Sequence, residues 1–412
     1  MGLLSRLVVK SQSYSMDDFD RQVIERIRGG QVHSGINVSE ESAMRYITVY
    51  SCVRVLAETI ASLPLVVYKK RPNGGADKAP DHPVYDLLDV LPNDEMTTTT
   101  WREQQIGNLA LSGNCYSIIT TNRRGQPIDL YPIQWTNCRP FRDQSDGKIK
   151  YQVADRGKYE IFPADRVFHL VGFGSDGLVG YSHIQMAAES IGVGIAAAEF
   201  SARFYGQGMN IGGVLEHPGP NGLSDKAFER LREDLEARGA GLANSWRPLI
   251  LEEGMKFNRI PMPLTDAQFI ESRKFTRDEI CGLFRMPPHM IANLERSTNN
   301  NIEQQSIEFV MYTLLPYVVK FEKTINWKLF TKAERAAGYY AKFNLSALLR
   351  GDYKSRQEGL AQMRQNGAIN ANEWRELEEM NPIEGPEGEA YLVNGTMTPT
   401  TVAANKTTNE GG

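Results

Sequence analysis

Residues 265–330 read TDAQFIESRKFTRDEICGLFRMPPHMIANLERSTNNNIEQQSIEFVMYTLLPYVVKFEKTINWKLF, and the architecture follows from the change of pattern within them. The first part, Asp266–Phe284, predicts a helix with so many charges that little of it belongs in an ordinary core. Pro287 and Pro288 end this helix, because the residue before a proline avoids the helical region. The charged side chains at issue are Glu271, Arg273, Lys274, Arg277, Asp278 and Glu279.

A second helix is predicted over 303–330, where apolar residues recur at near-helical spacing. Such a helix needs neighbours, either elsewhere in the chain or in other subunits. Pro316 lies inside it and removes one backbone hydrogen bond, so a kink is predicted there. The apolar positions are Ile307, Val310, Met311, Leu314, Leu315, Val318, Phe321, Ile325 and Leu329.

A largely uncharged polar run separates the two helices and predicts a loop. One interpretation is a long connection between helices. The other is a surface that DNA slides past, because Asn forms weak, exchangeable hydrogen bonds without the phosphate grip of Lys or Arg. The run consists of Arg296, Ser297, Thr298, Asn299, Asn300 and Asn301.

The charged helix also has two interpretations. It is either a solvated surface helix, or a helix whose charges pair with those of an adjacent subunit across a heterologous contact. In the second case its neighbour is a helix from Ser182 to about Tyr205, whose alanines and glycines allow another helix to approach closely.

The composition is that of a folded, soluble protein, with 41% hydrophobic and 23% charged residues in a chain of 412. A net charge of −4 argues against a basic nucleic-acid clamp but not against a protein that DNA passes through. The four cysteines show no metal-ligand spacing, so reduced structural thiols are predicted and no cofactor or metal is expected. No apolar run approaches the ~20 residues that span a bilayer, and no signal peptide is recognisable, so synthesis in a cytoplasm is expected.

The first half of the chain alternates helices and strands, which predicts an α+β region. Residues 1–40 are predicted to form an extended arm, and a buried helix is predicted from Ala43 to Pro64. Strands are predicted, from period-two alternation and turn residues, over 65–70, 116–121, 128–133, 149–153, 159–162 and 167–171.

The second half contains a small insert and a helical end. In the insert, Ser224 is predicted to cap a helix, and strands are predicted over 248–251 and 256–260. Near the C-terminus, helices are predicted over 353–365 and 371–380, with Asn370 and Glu373 as a capping box. The tail beyond Tyr391 has the composition of a disordered segment.

The run Gly172–Gly177 satisfies the GxGxxG pattern of dinucleotide-binding loops. Such a fold needs a strand ending in an acid about 20 residues further on, and here that distance falls on Glu199, inside the predicted Ala-rich helix. The run is therefore interpreted as a flexible glycine hinge, with nucleotide binding as the alternative. His169, on a predicted strand, is interpreted as a core residue and not a ligand.

Three runs, Asn301–Val310, Tyr312–Pro316 and Met286–Met290, resemble the portal proteins of tailed bacteriophages, specifically the HK97-like family. The resemblance extends from about Ala43 to Gly388. It implies an elongated α+β portal-type subunit with an α/β wing, a helical stem, a small α/β clip, a long kinked spine helix and a helical crown. The implied regions are an arm (1–42), the wing (43–181), stem helix 1 (182–208), the clip (209–264), stem helix 2 (265–286), a tunnel-loop region (287–302), the spine helix and return to the wing (303–344), the crown (345–385) and a flexible tail (386–412).

The resemblance also implies a function without a catalytic residue. A ring of typically twelve subunits would occupy one capsid vertex of the virion, after assembly in the host cytoplasm, and genomic double-stranded DNA would be packaged and ejected through it. The implied partners are the large terminase subunit, a head-to-tail adaptor, the major capsid or scaffold protein and DNA bound without sequence specificity, with no membrane.

Site residues follow from the same resemblance. The tunnel loop, Arg296–Asn301, would line the narrowest part of the channel, the charges of stem helix 2 would pair between subunits, and Arg230, Arg232 and Glu233 would form the partner surface of the clip. Family members often carry an aromatic residue where this chain has Asn299, so no apolar contact by the tip is implied. The alternatives are a non-viral structural or adaptor protein with a similar α+β body, or a nucleotide-binding enzyme using Gly172–Gly177.

Overall fold

The computed structural model describes residues 32–72, 74–207, 213–218, 224–239, 255–259, 266–292, 299–345, 353–378 and 380–392. The chain divides into a larger unit, Met1–Asn344, and a smaller one, Leu345–Gly412. The predicted arm over 1–40 lies mostly outside the described residues, as do the predicted strand over 248–251 and the tail after Leu392.

The larger unit begins with helices and continues as a series of short strands. In chain order these elements are α1 (Glu40–Met44), α2 (Ile47–Ala61), β1 (Leu65–Lys70), β2 (Ala76–Lys78), α3 (Pro83–Asp89), α4 (Thr98–Ser112), β3 (Asn114–Thr121), β4 (Pro127–Ile133), β5 (Cys138–Arg142), β6 (Ile149–Asp155), β7 (Lys158–Pro163) and β8 (Val167–Val171). Single 3₁₀ turns, Trp135–Asn137 and Ala164–Arg166, lie within this series.

The second part of the larger unit is mainly helical. It contains α5 (His183–Met186), α6 (Ala188–Gln207), β9 (Gly213–Glu216), α7 (Asp225–Gly239), β10 (Lys256–Arg259), α8 (Asp266–Phe284), a 3₁₀ turn (Pro288–Ile291), α9 (Asn299–Glu308), a π-helical segment (Phe309–Leu314), α10 (Leu315–Lys328), α11 (Lys332–Ala336) and β11 (Tyr339–Phe343). The helix Asp266–Phe284 has the predicted bounds. The predicted helix from Ser182 is instead divided at Ala187, which leaves helical geometry between α5 and α6.

The strands form small antiparallel sheets with the orders β11–β1–β2, β4–β3–β8, β5–β6–β7 and β10–β9. The strands predicted before Val171 are confirmed, and so is β10. The strands β2, β5, β9 and β11 were missed, because each has at most five residues and little alternation. The pairing of β11 with β1 joins segments from opposite ends of the larger unit, with Leu65 opposite Phe343.

One core cluster is shared by β4–β3–β8 and β5–β6–β7. Tyr116 from the first sheet and Tyr151 from the second meet edge to face, with ring centroids 6.2 Å apart. His169 stacks on Tyr116 at 4.3 Å. Its Nδ1 lies 3.1 Å from the Tyr151 hydroxyl and its Nε2 lies 3.2 Å from Asn114 Oδ1. His169 is thus a hydrogen-bonded core residue, as predicted.

A second buried cluster joins the helices to these sheets. The ring of Trp101 on α4 lies 5.6 Å from those of Phe168 on β8 and Phe321 on α10, and its Nε1 donates to Ser117 Oγ at 3.0 Å. Phe343 on β11 meets the other side of Phe321 at 5.7 Å. The buried face of α10 is therefore held between β8 and β11.

The smaller unit contains α12 (Tyr353–Gln365), α13 (Ala371–Leu377) and α14 (Pro386–Glu389). The predicted capping box is confirmed: Glu373 N donates to Asn370 Oδ1 and Asn370 N donates to Glu373 Oε2, both at 2.8 Å. Helix α13 ends at Leu377, earlier than predicted, because Glu378 already leaves helical geometry.

The buried imidazole of His169 generates a prediction about acid stability. Burial lowers its pKa from 6.5 to about 3, so the folded chain holds it neutral while the unfolded chain protonates it below pH 6.5. Stability from this group is complete above pH 6.5 and is lost as the pH falls toward 3. We expect His169→Gln to make the fall in unfolding free energy between pH 6 and 5 shallower by about 1 kcal/mol per pH unit. Urea unfolding of both proteins measures this, and equal slopes would contradict it.

Candidate functional site

The two long helices of the larger unit, α6 and α8, lie side by side. Gly194 on α6 has no room for a side chain, because a Cβ there would lie 3.0 Å from Thr276 Cγ2 on α8 and from the ring of Tyr46. A Cβ on Gly192 would lie 2.7 Å from Ser34 Oγ. The prediction that the small residues of this helix permit close approach is confirmed.

Helix α8 has one buried and one charged face. Thr276, Ile280, Cys281 and Phe284 are buried at helical spacing against α2 and α6. The predicted site residues Glu271, Arg273, Asp278 and Glu279 are exposed, and Lys274 and Arg277 are intermediate. The single subunit therefore places these charges on the surface of the helix.

Arg277 is the exception among these charges. Its side chain is only 28% exposed, and its Nε lies 3.6 Å from Asp278 Oδ1, too far for a hydrogen bond. This Nε is buried and has no hydrogen-bond acceptor within the described residues. A buried donor without an acceptor costs free energy, which the nearby carboxylate of Asp278 offsets in part by its charge.

The end of α8 is built around Arg285, which sequence reasoning did not single out. Arg285 has a left-handed backbone (φ 51°), which lets Met286 N donate to Cys281 O at 2.8 Å and close the helix. Met286 is buried beneath it. A non-glycine residue in this conformation is strained. A hydrogen bond made by the Arg285 side chain offsets this strain.

The Arg285 side chain compensates for a proline in the next long helix. Pro316 has no N–H, so the carbonyl of Tyr312 loses its usual helical donor. Arg285 Nη1 donates to Tyr312 O at 3.2 Å, and Thr313 Oγ1 donates back to Arg285 O at 2.7 Å. Two reciprocal hydrogen bonds thus tie the end of α8 to the spine helix.

The backbone of the spine helix departs from α geometry just before this proline. Phe309–Leu314 are π-helical, and Leu315 N donates to Val310 O, five residues back. A π segment widens the helix and shifts its hydrogen-bond register, which leaves carbonyls for outside donors. The predicted kink at Pro316 itself stays a prediction.

The predicted tunnel loop is shorter than its polar run indicated. Helix α9 begins at Asn299, so Asn299, Asn300 and Asn301 lie in its first turn and not in a loop. The helix extends this far because three asparagines cost only a few tenths of a kcal/mol each, which the helix-forming residues after them offset. Arg296, Ser297 and Thr298 lie outside the described residues. His289 Nδ1 lies 2.9 Å from Gln305 Oε1 and ties α9 to the 3₁₀ turn.

The clip residues lie on α7. Ser224 caps this helix, with Ala227 N donating to its Oγ at 3.4 Å. Arg230, Arg232 and Glu233 are exposed, and Arg232 Nη1 lies 3.5 Å from Glu229 Oε1. Strands β9 and β10 pair antiparallel, with Lys256 opposite Glu216.

The loop around Gly172–Gly177 is anchored where it begins and where it ends, and the flexible hinge that its glycines indicated stays a prediction. Asn114 holds it from both sides: its Nδ2 donates to Gly180 O at 2.9 Å, and its Oδ1 accepts from Gly180 N at 2.9 Å. Gly172 N donates to Gly113 O at 2.7 Å, and Tyr181 N donates to Phe173 O at 2.7 Å. Asp176 Oδ1 accepts from the N–H groups of Leu178 and Val179.

These contacts bear on the nucleotide-binding alternative for the loop and do not favour it. A phosphate cradle needs free N–H groups at the start of a helix, and several N–H groups of this loop are already bonded within the chain. A Cβ on Gly172 would lie 2.7 Å from Gly113 O, so its glycine serves close backbone packing. What the loop presents outward is Phe173.

Two further searches of the described residues give negative results. No group of three or more His, Cys, Asp and Glu side chains there is placed to hold a metal ion. Among the helices described, none has the length and apolar character to cross a bilayer. The four cysteines are unpaired and buried, in line with the prediction of reduced structural thiols.

A family model for the phage portal protein matches residues 47–379, which includes the segments predicted as stem, clip and spine. The chain belongs to the phage portal protein family. It is 32% identical over 352 residues to the portal protein of Enterobacteria phage HK97, covering 85% of this chain and 82% of that one. The HK97-like resemblance is thereby confirmed. The portal family is a family of structural proteins and not of enzymes.

Solved structures agree with the fold. An HK97-family phage portal protein from Corynebacterium diphtheriae gives a TM-score of 0.58 at 16% identity, covering 76% of this chain and 98% of that one. A chain of the neck of a native gene transfer agent particle, computed with C12 symmetry, gives a TM-score of 0.56 at 22% identity, covering 84% and 94%. The mixed helix and sheet architecture is thus the α+β portal fold that was predicted.

The contact between Arg285 and Tyr312 generates a prediction. Arg285→Ala leaves the carbonyl of Tyr312 without its donor and should lower the unfolding free energy by about 1 kcal/mol. Pro316→Ala restores an N–H to the helix, which can serve that carbonyl instead. We therefore expect Arg285→Ala to cost less than half as much in the Pro316→Ala background.

Denaturant unfolding of the four proteins of this double-mutant cycle measures the coupling. If the changes in unfolding free energy of the two substitutions add within about 0.5 kcal/mol, Arg285 does not replace the N–H that Pro316 lacks.

Proposed function

We propose that the chain assembles into a ring, typically of twelve copies, that forms the DNA channel at one capsid vertex of a virion. Double-stranded DNA is packaged and ejected through the ring without sequence-specific contact. The large terminase subunit docks on it during packaging and supplies the work, and a head-to-tail adaptor replaces the terminase afterwards. Family membership supports this proposal, and the neck structure computed with C12 symmetry supports a ring.

The observation that best supports a ring is that the spine helix has apolar side chains on two faces. Leu314, Val318 and Phe321 on one face are almost fully buried within the subunit. Ile307, Met311 and Leu315, which belong to the same predicted apolar pattern, are exposed in the single subunit, Met311 by 51%. An exposed apolar stripe of this length marks a contact surface, and a neighbouring subunit would cover it.

The stem charges fit the same arrangement. Exposed ion pairs contribute only about 0 to 1 kcal/mol each, so the charges of α8 would set the register between neighbours more than their affinity. The side chain of Arg277 is 28% exposed, and its guanidinium would pair with a carboxylate of the adjacent subunit through this exposed part. This keeps Glu271, Arg273, Lys274, Arg277, Asp278 and Glu279 as the proposed inter-subunit residues of the stem.

Passage of DNA requires a channel lining that does not bind phosphate tightly. The net charge of −4 fits such a lining, because tight binding would need an excess of cations to displace counterions. The proposed DNA-proximal segment is Arg296–Asn301, of which Asn299–Asn301 form the first turn of α9. It is separated from α10 by the π segment, which allows it to shift while α10 stays packed in the core.

The clip is the proposed docking surface for terminase and adaptor, through Arg230, Arg232 and Glu233. Capsid or scaffold protein is the further proposed partner, with assembly in the host cytoplasm. A non-viral adaptor with the same α+β body remains the alternative, and ring formation separates the two.

We predict that the purified chain forms closed rings with a central hole, because exposed apolar stripes of neighbouring subunits are then covered. Negative-stain electron microscopy and mass photometry at several salt concentrations measure this. Scaffold protein is added in a parallel sample, since rings of the wrong number still support the proposal. A strictly monomeric species under all these conditions would contradict it.

We predict that charge reversal at the clip, Arg230→Glu with Arg232→Glu, weakens terminase or adaptor docking at least tenfold and leaves ring assembly intact. The reason is that both side chains lie on the exposed part of α7. Arg123→Glu with Arg124→Glu, in an exposed wing turn, is the matched control and should change neither property. Docking is measured by surface-immobilised binding; loss of rings in the clip variant would show that the clip surface is misplaced.

A further inference from the structure

Two of the buried cysteines, Cys52 on α2 and Cys281 on α8, lie against each other. Both belong to the buried faces through which these two helices pack, and the residues are 0% and 3% exposed. The thiol of Cys52 donates a hydrogen bond to Cys281 Sγ. The two residues are far apart in the chain, so the fold alone brings their sulfur atoms together.

This contact makes the two sulfur atoms chemically different. The hydrogen bond, and then burial, raise the pKa of Cys52, whereas the same hydrogen bond lowers the pKa of Cys281. The positive charge of Arg277, one turn earlier on α8, also lowers the pKa of Cys281, against the opposing effects of burial and Asp278. The thiolate is the nucleophile in cysteine chemistry, so Cys281 is the sulfur that reacts first and Cys52 is the thiol beside it.

A small molecule has a short way to Cys281. The next residue, Gly282, is exposed, and a Cβ there would meet no other described atom within 4 Å. Arg277 keeps 28% of its side chain exposed. Cys281 therefore lies just below the surface of α8, where a slight local opening of the helix admits an oxidant as small as hydrogen peroxide.

We propose that Cys52 and Cys281 form a reversible disulfide, made by reaction with hydrogen peroxide, that joins α2 to α8 within one subunit. The Cys281 thiolate attacks a peroxide oxygen, which breaks the O–O bond and leaves a sulfenic acid on Cys281. The departing hydroxide takes up the proton that the thiol lost and becomes water. The Cys52 thiol then attacks the oxidised sulfur and displaces a second water. In total, two thiols are oxidised to one disulfide and one peroxide is reduced to two waters.

The other two cysteines serve as internal references. Cys115 and Cys138 are buried, and burial raises the pKa of each thiol. A buried thiol that stays protonated is a poor nucleophile. The reaction is therefore expected at one pair among the four cysteines.

The bond fastens α8, which carries the charges proposed to meet the next subunit, to the core of its own subunit. Thiols stay reduced in the cytoplasm, and disulfides persist outside the cell. The pair is thus a dithiol during assembly and a disulfide in the released virion. This consequence rests on the proposed function, whereas the bond itself is a property of the single subunit, so the experiments below decide it whether or not rings form.

The first experiment treats the reduced full-length chain with hydrogen peroxide, blocks the remaining thiols with N-ethylmaleimide in denaturant, and analyses tryptic peptides by mass spectrometry without reduction. We expect peptide 46–54 linked to peptide 278–285, with a yield at least about tenfold above any oxidation at Cys115 or Cys138. The proposal is overturned if Cys52 and Cys281 stay thiols, if Cys281 ends as a sulfinic or sulfonic acid without a link, or if all four cysteines react equally.

The second experiment compares Cys52→Ser with Cys138→Ser, a matched control that also removes a buried thiol. Without Cys52, the sulfenic acid on Cys281 has no thiol to react with, so dimedone should label peptide 278–285 in Cys52→Ser and not in Cys138→Ser. Circular dichroism verifies that both variants fold. Absence of the label in Cys52→Ser would contradict the proposed order of reaction.

The same proteins test what the bond does to the subunit. Peroxide should raise the thermal midpoint of the unmodified chain and of Cys138→Ser by about 5 °C or more, because the disulfide closes a long loop. Dithiothreitol should reverse this rise, and Cys52→Ser should show none. An equal rise in Cys52→Ser would show that the stabilisation does not come from this bond.

Discussion

Pro316 has no N–H to donate, and the junction between the end of α8 and the helix that contains Pro316 is arranged around that missing hydrogen bond. Arg285 supplies the donor from the end of α8, and it reaches the carbonyl of Tyr312 only because its own backbone adopts the left-handed conformation. Thr313 returns a hydrogen bond to Arg285 O. The end of one long helix and the irregular segment of another are thereby joined at a fixed point.

This junction has consequences on both sides of the spine. Toward the core, α10 is held by the rings of Trp101, Phe168 and Phe343 around Phe321, so its position in the larger unit is determined by packing. Toward the other end, the π segment separates this fixed part from α9 and from the proposed tunnel loop. A packed base joined to an irregular segment would suit the proposed channel, in which the DNA-proximal segment would move and the subunit body would not.

The helix of Pro316 also bears on the proposed assembly. Its apolar residues divide between a face covered by the same chain and a face that the chain leaves open. Lys320 on the same helix donates to Val171 O, just before the loop of Phe173, and Phe173 is itself exposed. Unfulfilled apolar and polar surface on adjacent elements is what distinguishes a subunit of an assembly from a protein that is complete by itself.

The sequence by itself determined the local elements and the family. Helical periodicity and flanking prolines placed Asp266–Phe284 correctly, period-two alternation found the principal strands, and a capping box was recognised at Asn370. These properties depend on neighbours a few residues apart, which a sequence displays directly. The family resemblance, and not any single pattern, pointed to a ring.

Only the tertiary structure decided which apolar residues of the spine are covered, that the glycine loop is anchored, and that Arg285 serves Tyr312. Ile307 and Leu314 look equivalent in the sequence, yet one is exposed and the other is buried. Asn114 and Gly180, which hold the loop, are far apart in the chain, as are β1 and β11. Such contacts form between segments that the fold brings together from a distance, so no local pattern encodes them.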